Sequence, residues 1–212
     1  MSKPWLQSYP EGVPAEISIE EYASVADIFD QSVCKFEDRP AYSNFGKTIT
    51  YKEVRQFTSQ LGAYLKHELG LEKGTRVAVM MPNLLQNPVA IFGILRAGLV
   101  VVNTNPLYTA RELKHQMNDS GAEAIIIVEN FCHVLEEVIE DTPVKHVIVT
   151  RMGDMLPFPK SAIVNFVVKR IKKMVPAYKL PGAVTFNKAL KLGSQYRFET
   201  VPTNHYDIAF LQ

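Results

Sequence analysis

The sequence predicts an α/β fold, a mostly parallel sheet with helices on both faces, and three observations carry that expectation. Four short runs rich in Val and Ile recur along the middle of the chain, at residues 76–81, 99–103, 124–128 and 146–150. The stretches between them keep helical apolar spacing for roughly ten to fifteen residues, long enough to cross over between parallel strands. Two helix starts are written as capping boxes, Thr50-Tyr51-Lys52-Glu53 and Thr109-Ala110-Arg111-Glu112. In each, the Thr hydroxyl and the Glu carboxylate accept from each other's otherwise orphaned backbone N–H groups.

Taken in order, Ser24 opens a helix to about Glu37, with Val25, Ile28, Phe29, Val33 and Phe36 expected to face inward. Residues 41–45 and 48–51 flank Gly46-Lys47, which fits a hairpin closed by a two-residue turn. After Thr50, the positions Val54, Phe57, Leu61, Tyr64, Leu65 and Leu69 share a helical face, and Gly70 suits the left-handed residue past a helix end. The strand at 76–81 is followed by Asn87-Pro88, expected to cap a helix that stops at Ala97-Gly98. The strand at 99–103 leads to the Thr109 helix, which Gly121 ends, and two further strands come after it. Beyond Arg151 the alternation breaks, and Pro157, Pro159, Pro176 and Pro181 bracket a basic segment. No internal repeat stands out. The expected organisation is an arm, helix and hairpin over 1–50, an alternating core over 51–150, and the basic segment with its carboxyl-terminal continuation over 151–212.

Composition narrows the class. With 212 residues, 47% of them hydrophobic and 21% charged, the chain can bury a substantial core and has no tract that must stay disordered. Cys34 and Cys132 are far apart and lack metal-ligand spacing, which argues against a disulfide framework or a zinc site and fits the cytoplasm. The first residues contain no apolar core of a secretory signal, and no run reaches the roughly 18 apolar residues of a membrane span. Net charge is only +1, but residues 155–198 hold nine Lys or Arg and no acid, leaving 14 basic against 22 acidic residues elsewhere. Such asymmetry suggests an anionic partner near that segment.

Chemical motifs are sparse. No G-x-G-x-x-G follows a strand, and Gly93 and Gly98 have P-loop spacing but are followed by Leu99 and Val100 where Lys and Ser or Thr would be needed. They read instead as a helix glycine and a helix cap. There is no G-x-S-x-G elbow. His115 and Asp119 sit four apart on one helix face and read as a surface pair rather than half a metal site. The sequon Asn118-Asp119-Ser120 has no secretory route to make it meaningful. Ligands of open α/β sheets gather at the carboxyl ends of strands, which points to Met81-Pro82-Asn83 and to residues 103–108, where Pro82 and Pro106 could equally be plain strand terminators.

The run LRAGLVVVNTNPLYTARELKHQMNDSGAEAIII, residues 95–127, closely resembles the adenylate-forming superfamily, and TITYKEV and GLEKGTRVAVMMPN fit its opening. WLQSYPEGVPAEI and RMGDMLPFPKSAIVNFVVKRIKKMVPAYKLPGA are similar to the long-chain fatty-acid acyl-CoA synthetases of bacteria within it. Ala110 departs from a position where that family often has Pro. The resemblance implies that 1–212 is the amino-terminal part of an AMP-binding large domain. It also implies that HYDIAFLQ forms a strand over Asp207–Gln212 that would run in relatives into a Gly/Thr-rich loop that wraps ATP phosphates. The parent would use ATP, Mg2+ and coenzyme A to convert a fatty acid through an acyl-adenylate, and this chain would hold no catalytic and no metal-binding residue. Asn83, Asn105, Pro106 and Leu107 are the expected wall of the substrate channel. Homodimer formation stays open.

Residues 160–179 combine an apolar stripe, Ile163, Val167, Ile171 and Met174, with Lys169, Arg170, Lys172 and Lys173. Two readings stand side by side. In one, Phe166, Lys169, Arg170, Lys172 and Lys173 contact an anionic membrane, placing the protein on the cytoplasmic face of the inner membrane. In the other the stripe packs on the domain. No nucleic-acid reader motif accompanies the basic residues. The rival functions are a membrane-surface or protein-interaction module, and another adenylate-forming ligase acting on a different acid.

Overall fold

A computed structural model describes residues 3–212, so the expected 1–50 section is seen from Lys3 onward. Helix α1 (Val25–Phe36) is capped by Ser24, whose hydroxyl accepts from the Asp27 N–H at 3.2 Å. A hairpin of β1 (Pro40–Asn44) and β2 (Lys47–Thr50) comes next, then α2 (Tyr51–Ala63), extended by one wider turn over Tyr64–Glu68. The alternation is β3 (Arg76–Met80), α3 (Gln86–Arg96), β4 (Val100–Asn103), α4 (Ala110–Ser120), β5 (Ala124–Val128), α5 (Cys132–Glu136) and β6 (His146–Thr150). The remainder supplies α6 (Lys160–Phe166), β7 (Val184–Thr185), α7 (Phe186–Gly193) and β8 (Phe210–Leu211).

Six strands form one parallel sheet in the order β7-β6-β5-β3-β4-β8. Its two faces are written into alternate residues. Along β5, Ala124, Ile126 and Val128 pack with α2, α3 and α7, whereas Ile125 and Ile127 point to the opposite face under α4 and α5. All five are buried, which is why the run lacks a polar partner residue at every second position. A third, smaller cluster joins Phe29 and Val33 of α1 to Ile49, Val54, Leu85 and Leu156.

Both capping boxes form, with Thr50 N–H to Glu53 and Thr109 N–H to Glu112 each at 2.8 Å. Gly121 ends α4 in the left-handed conformation, φ 65°. Four expectations shift. The hairpin turn is Phe45-Gly46, both at positive φ, rather than Gly46-Lys47, as a two-residue turn matching strand twist requires. Helix α3 starts at Gln86, so Asn87 and Pro88 lie inside its first turn, where Pro88 loses no intrahelical bond. Val25 and Ile28 do not face the core; they are 36% and 42% exposed because α1 rests on its neighbours through Ala26, Phe29 and Val33. The strand at the chain's end is confined to Phe210–Leu211.

Candidate functional site

The chain leaves β3 for β4 on one side and returns past β3 to β5 on the other, so connections diverge between β3 and β5. At the carboxyl ends beside such a switch point, the loops part and leave a crevice. Here those loops begin at Met81 and at Glu129.

Polar burial concentrates on this edge. Gln86, Thr104, Glu129, Asn130 and Thr150 are buried, and each lies at or just beyond a strand's carboxyl end. Such groups need partners. Gln86 Nε2 donates to Thr150 Oγ1 at 3.1 Å and to the Arg151 carbonyl at 2.8 Å, tying the loop after β3 to the end of β6. Asn130 Nδ2 donates to the Met174 carbonyl at 3.0 Å, while its Oδ1 finds no partner. Sequence reading took in Thr104, within residues 103–108, and passed over the others. Their signal is a polar residue directly after an apolar strand, as in Val128-Glu129-Asn130.

The basic segment roofs this edge. Helix α6 and the wider turn Val167–Ile171 cover a cleft of about 440 Å3, with Glu129, Arg151 and Asp154 on its floor. Lys169 Nζ reaches the buried Glu129 carboxylate at 3.3 Å. Asn165 Oδ1 accepts from the Gly153 N–H at 2.8 Å, and its Nδ2 donates to Asp154 at 3.3 Å. Val164 packs on the cluster around Leu156 and these polar groups add to the helix's hold, while Ile163, Phe166 and Ile171, and Met174 just beyond, are each more than half exposed. Below it, burial first and then the Glu129 charge push the Cys132 thiol up to about 12. Burial likewise raises the Tyr178 hydroxyl to about 12.

The expected channel residues separate. Asn83 lines a recess of about 440 Å3 together with Asn44, Phe92 and Phe210, and its carbonyl accepts from Asn44 Nδ2 at 2.9 Å. Asn105, Pro106 and Leu107 do not line that recess. Asn105 Oδ1 accepts from the Leu107 N–H at 3.0 Å in a tight turn after β4, leaving Leu107 80% exposed. Of the expected membrane residues, Phe166, Arg170, Lys172 and Lys173 are exposed, and Lys169 is turned toward Glu129. His115 and Asp119 are both exposed on α4, and no third ligating side chain joins them among the described residues.

The sequence and the fold have counterparts. A long-chain-fatty-acid--CoA ligase of Salmonella typhi is 53% identical over 212 residues, covering 100% of this chain and 38% of that protein. One from Bacillus subtilis is 34% identical over 99% of this chain and 37% of its own length. Among solved structures, an anthranilate CoA ligase in complex with anthranoyl-AMP superposes with a TM-score of 0.73 at 18% identity, over 92% of this chain and 33% of that one. A long-chain-fatty-acid-CoA ligase from Archaeoglobus fulgidus superposes at 0.70 and 23% identity, over 95% and 36%. The chain thus spans well under half the length of the relatives it matches. Because the AMP-binding enzyme family matches residues 29–212, nearly the whole chain, the protein belongs to that family.

Proposed function

We propose that this chain is the amino-terminal part of an enzyme that joins a long-chain fatty acid to ATP, releases pyrophosphate, and transfers the acyl group from the resulting acyl-adenylate to coenzyme A. The observation that carries this reading is the direction of β8. It runs parallel to β4, pairing Val101 with Phe210 and Val102 with Leu211, so Gln212 leaves the sheet at its carboxyl edge. A Gly/Thr-rich loop continuing from there would present its backbone N–H groups where parallel sheets hold phosphates. The match over residues 29–212 favours an enzyme portion over a free-standing surface module.

Activation through an adenylate answers a chemical need, since a carboxylate is a poor electrophile and AMP is a good leaving group. Within this chain, Asn83 beside Phe210 and the exposed turn at Asn105, Pro106 and Leu107 would wall the path to that edge. In this reading Mg2+ would accompany ATP and neutralise phosphate charge as the adenylate forms.

The test is palmitate-dependent exchange of pyrophosphate into ATP, across a fatty-acid length series. A chain extended at its carboxyl end to the length of its relatives should support exchange and favour long acids, and the 212-residue chain should give none. Exchange by the 212-residue chain alone, or an extended chain active only on aromatic or short acids, would contradict the reading.

A second reading, contact with an anionic membrane surface, is favoured by the outward apolar face of α6 beside Arg170, Lys172 and Lys173. No helix among the described residues is long and apolar enough to cross a membrane, so the contact would be peripheral. Charge reversal at Lys169, Arg170, Lys172 and Lys173 should weaken binding to phosphatidylglycerol vesicles by about 1 kcal/mol per freely exposed cation. Unchanged co-sedimentation would reject it.

A further inference from the structure

The hairpin and the basic segment meet at the carboxyl edge of the sheet. Lys160, the first residue of α6, donates through Nζ to the Phe45 carbonyl at the hairpin tip. Beside it, Asn44 Nδ2 donates to the Asn83 carbonyl at 2.9 Å and holds the tip against the loop after β3. Around this junction aromatic rings stand in water. Phe158, two residues before α6, is 85% exposed, and Phe45 and Phe166 are 46% and 58% exposed. Ile163 joins them on the outward side of α6, since Val164 and Asn165 take the inward one. Four large apolar side chains left exposed around one junction, rather than scattered singly, mark a contact surface.

The charge of the same region says what that contact is. Lys160, Arg170, Lys172 and Lys173 are exposed there. The acids beneath them, Glu129 and Asp154, have side chains only 3% and 1% exposed and are paired with Lys169 and Arg151. Residues 155–198 contain no acid at all. The surface is therefore apolar side chains among cations, with no outward anion to offset them. An anionic bilayer complements both halves, because lipid phosphates meet the cations while the rings enter the boundary between headgroups and acyl chains. A bilayer also needs no matching side chains, so rings carried on a turn, a loop and a helix are accommodated together.

We propose that the hairpin tip enters an anionic bilayer together with the start of α6, with Phe45, Phe158 and Phe166 as the inserting residues. The inference deepens the membrane reading above and rests on it. A second anchor at Phe45 fixes how the molecule stands on the surface. Both anchors lie at the carboxyl ends of the strands, so that edge turns to the lipid and the amino ends turn to water. A fatty acid dissolved in the bilayer then meets the edge where its activation is proposed.

Tryptophan fluorescence tests it, in a Trp5→Phe background and with phosphatidylglycerol vesicles whose acyl chains are brominated. Emission from Phe45→Trp, Phe158→Trp and Phe166→Trp should be quenched on binding. Emission from Tyr206→Trp, a position 97% exposed beside the amino ends of β3 and β4, should not. Phe45→Asn suits the positive φ of 47° and so keeps the hairpin turn, yet it should weaken vesicle binding roughly tenfold. Neutral phosphatidylcholine vesicles should bind the native chain roughly 100-fold more weakly. Quenching of Phe166→Trp alone, with Phe45→Asn binding like the native chain, would overturn the second anchor and leave the membrane reading standing. Failure of the native chain to bind phosphatidylglycerol vesicles would sink both, and binding to polyglutamate in its place would identify an acidic protein as the partner. Equal quenching of Tyr206→Trp would overturn the orientation, and equal binding to neutral vesicles the role of the cations. The fatty-acid activity is judged separately by pyrophosphate exchange, which none of these outcomes decides.

Discussion

Arg96 is buried at the carboxyl end of α3, and its charge is dispersed over groups from three other parts of the chain, α1, α2 and residues 198–200. Nη1 donates to Thr58 Oγ1 at 2.7 Å, Ser59 Oγ at 2.9 Å and the Arg55 carbonyl at 3.2 Å; Nε donates to Thr200 Oγ1 at 3.1 Å. Asp30 Oδ1 also lies 3.0 Å from Nε, as a charge neighbour. Phe29 and Phe198 cover the guanidinium. Removing it would strand buried acceptors and an acid, so Arg96→Met should cost about 3 kcal/mol in urea unfolding. A loss below about 1 kcal/mol would show that water replaces the network. None of this is legible in the sequence, where Arg96 is one charge before Ala97-Gly98 and its partners lie as far away as residue 200. The cysteines differ equally sharply. With its thiol pushed up to about 12 and buried, Cys132 should resist iodoacetamide at pH 8, while the exposed Cys34 is alkylated. Mass spectrometry showing rapid labelling of Cys132 in the folded chain would contradict that burial.

At the scale of elements, what could be read was whatever rests on local chemistry. The capping boxes at Thr50 and Thr109 needed only residues three apart, and both formed. Thr50→Ala should cost about 1 kcal/mol. The backbone N–H of Thr50 holds the Glu53 carboxyl below its ordinary 4.5. A carboxylate depressed by folding stabilises fully above its unfolded pKa, and that contribution is lost as pH falls through the lower folded value. The advantage of the native chain over Glu53→Gln should therefore be complete above roughly pH 5 and shrink steadily below 4.5 in acid unfolding. An unchanged advantage down to about pH 3 would show that the carboxylate bond is unimportant. What escaped reading depended on tertiary contacts. The short α7 keeps helical spacing in Phe186, Ala189, Leu190 and Gly193, but eight residues do not tell where that face lands, and Gly193 lets it press on α2 so closely that a Cβ there would meet Gln60 O at 1.8 Å. The outward turn of Val25 and Ile28 was hidden for the same reason, because helical spacing marks an apolar stripe but not which part of it finds a partner.

For the whole molecule, the sheet sets a gradient of stability from centre to edge. β5 and β3 lie between two ladders with buried residues on both faces, whereas β7 and β8 are two-residue strands with one ladder each. The central strands were legible because continuous Val and Ile runs need two covered faces; β7 was not, since two residues have no period to detect, and β8 was expected only through the family resemblance. The candidate site inherits the same limit. Its location at the carboxyl ends follows from parallel pairing, but which residues meet there depends on how β8 and the basic segment return to the sheet. Hydrogen exchange should expose this order. Amides of β5 should exchange only through global unfolding, while the Val101 N–H, bonded to the Ala209 carbonyl at 2.9 Å, should open locally with β8 and exchange at least roughly 100-fold faster. Equal protection at Val101 and in β5 would mean that β8 is held as firmly as the core. In that case its return would be fixed by residues 198–211 and the Arg96 network, and Arg96→Met should raise exchange at Val101 before it does so anywhere in β5.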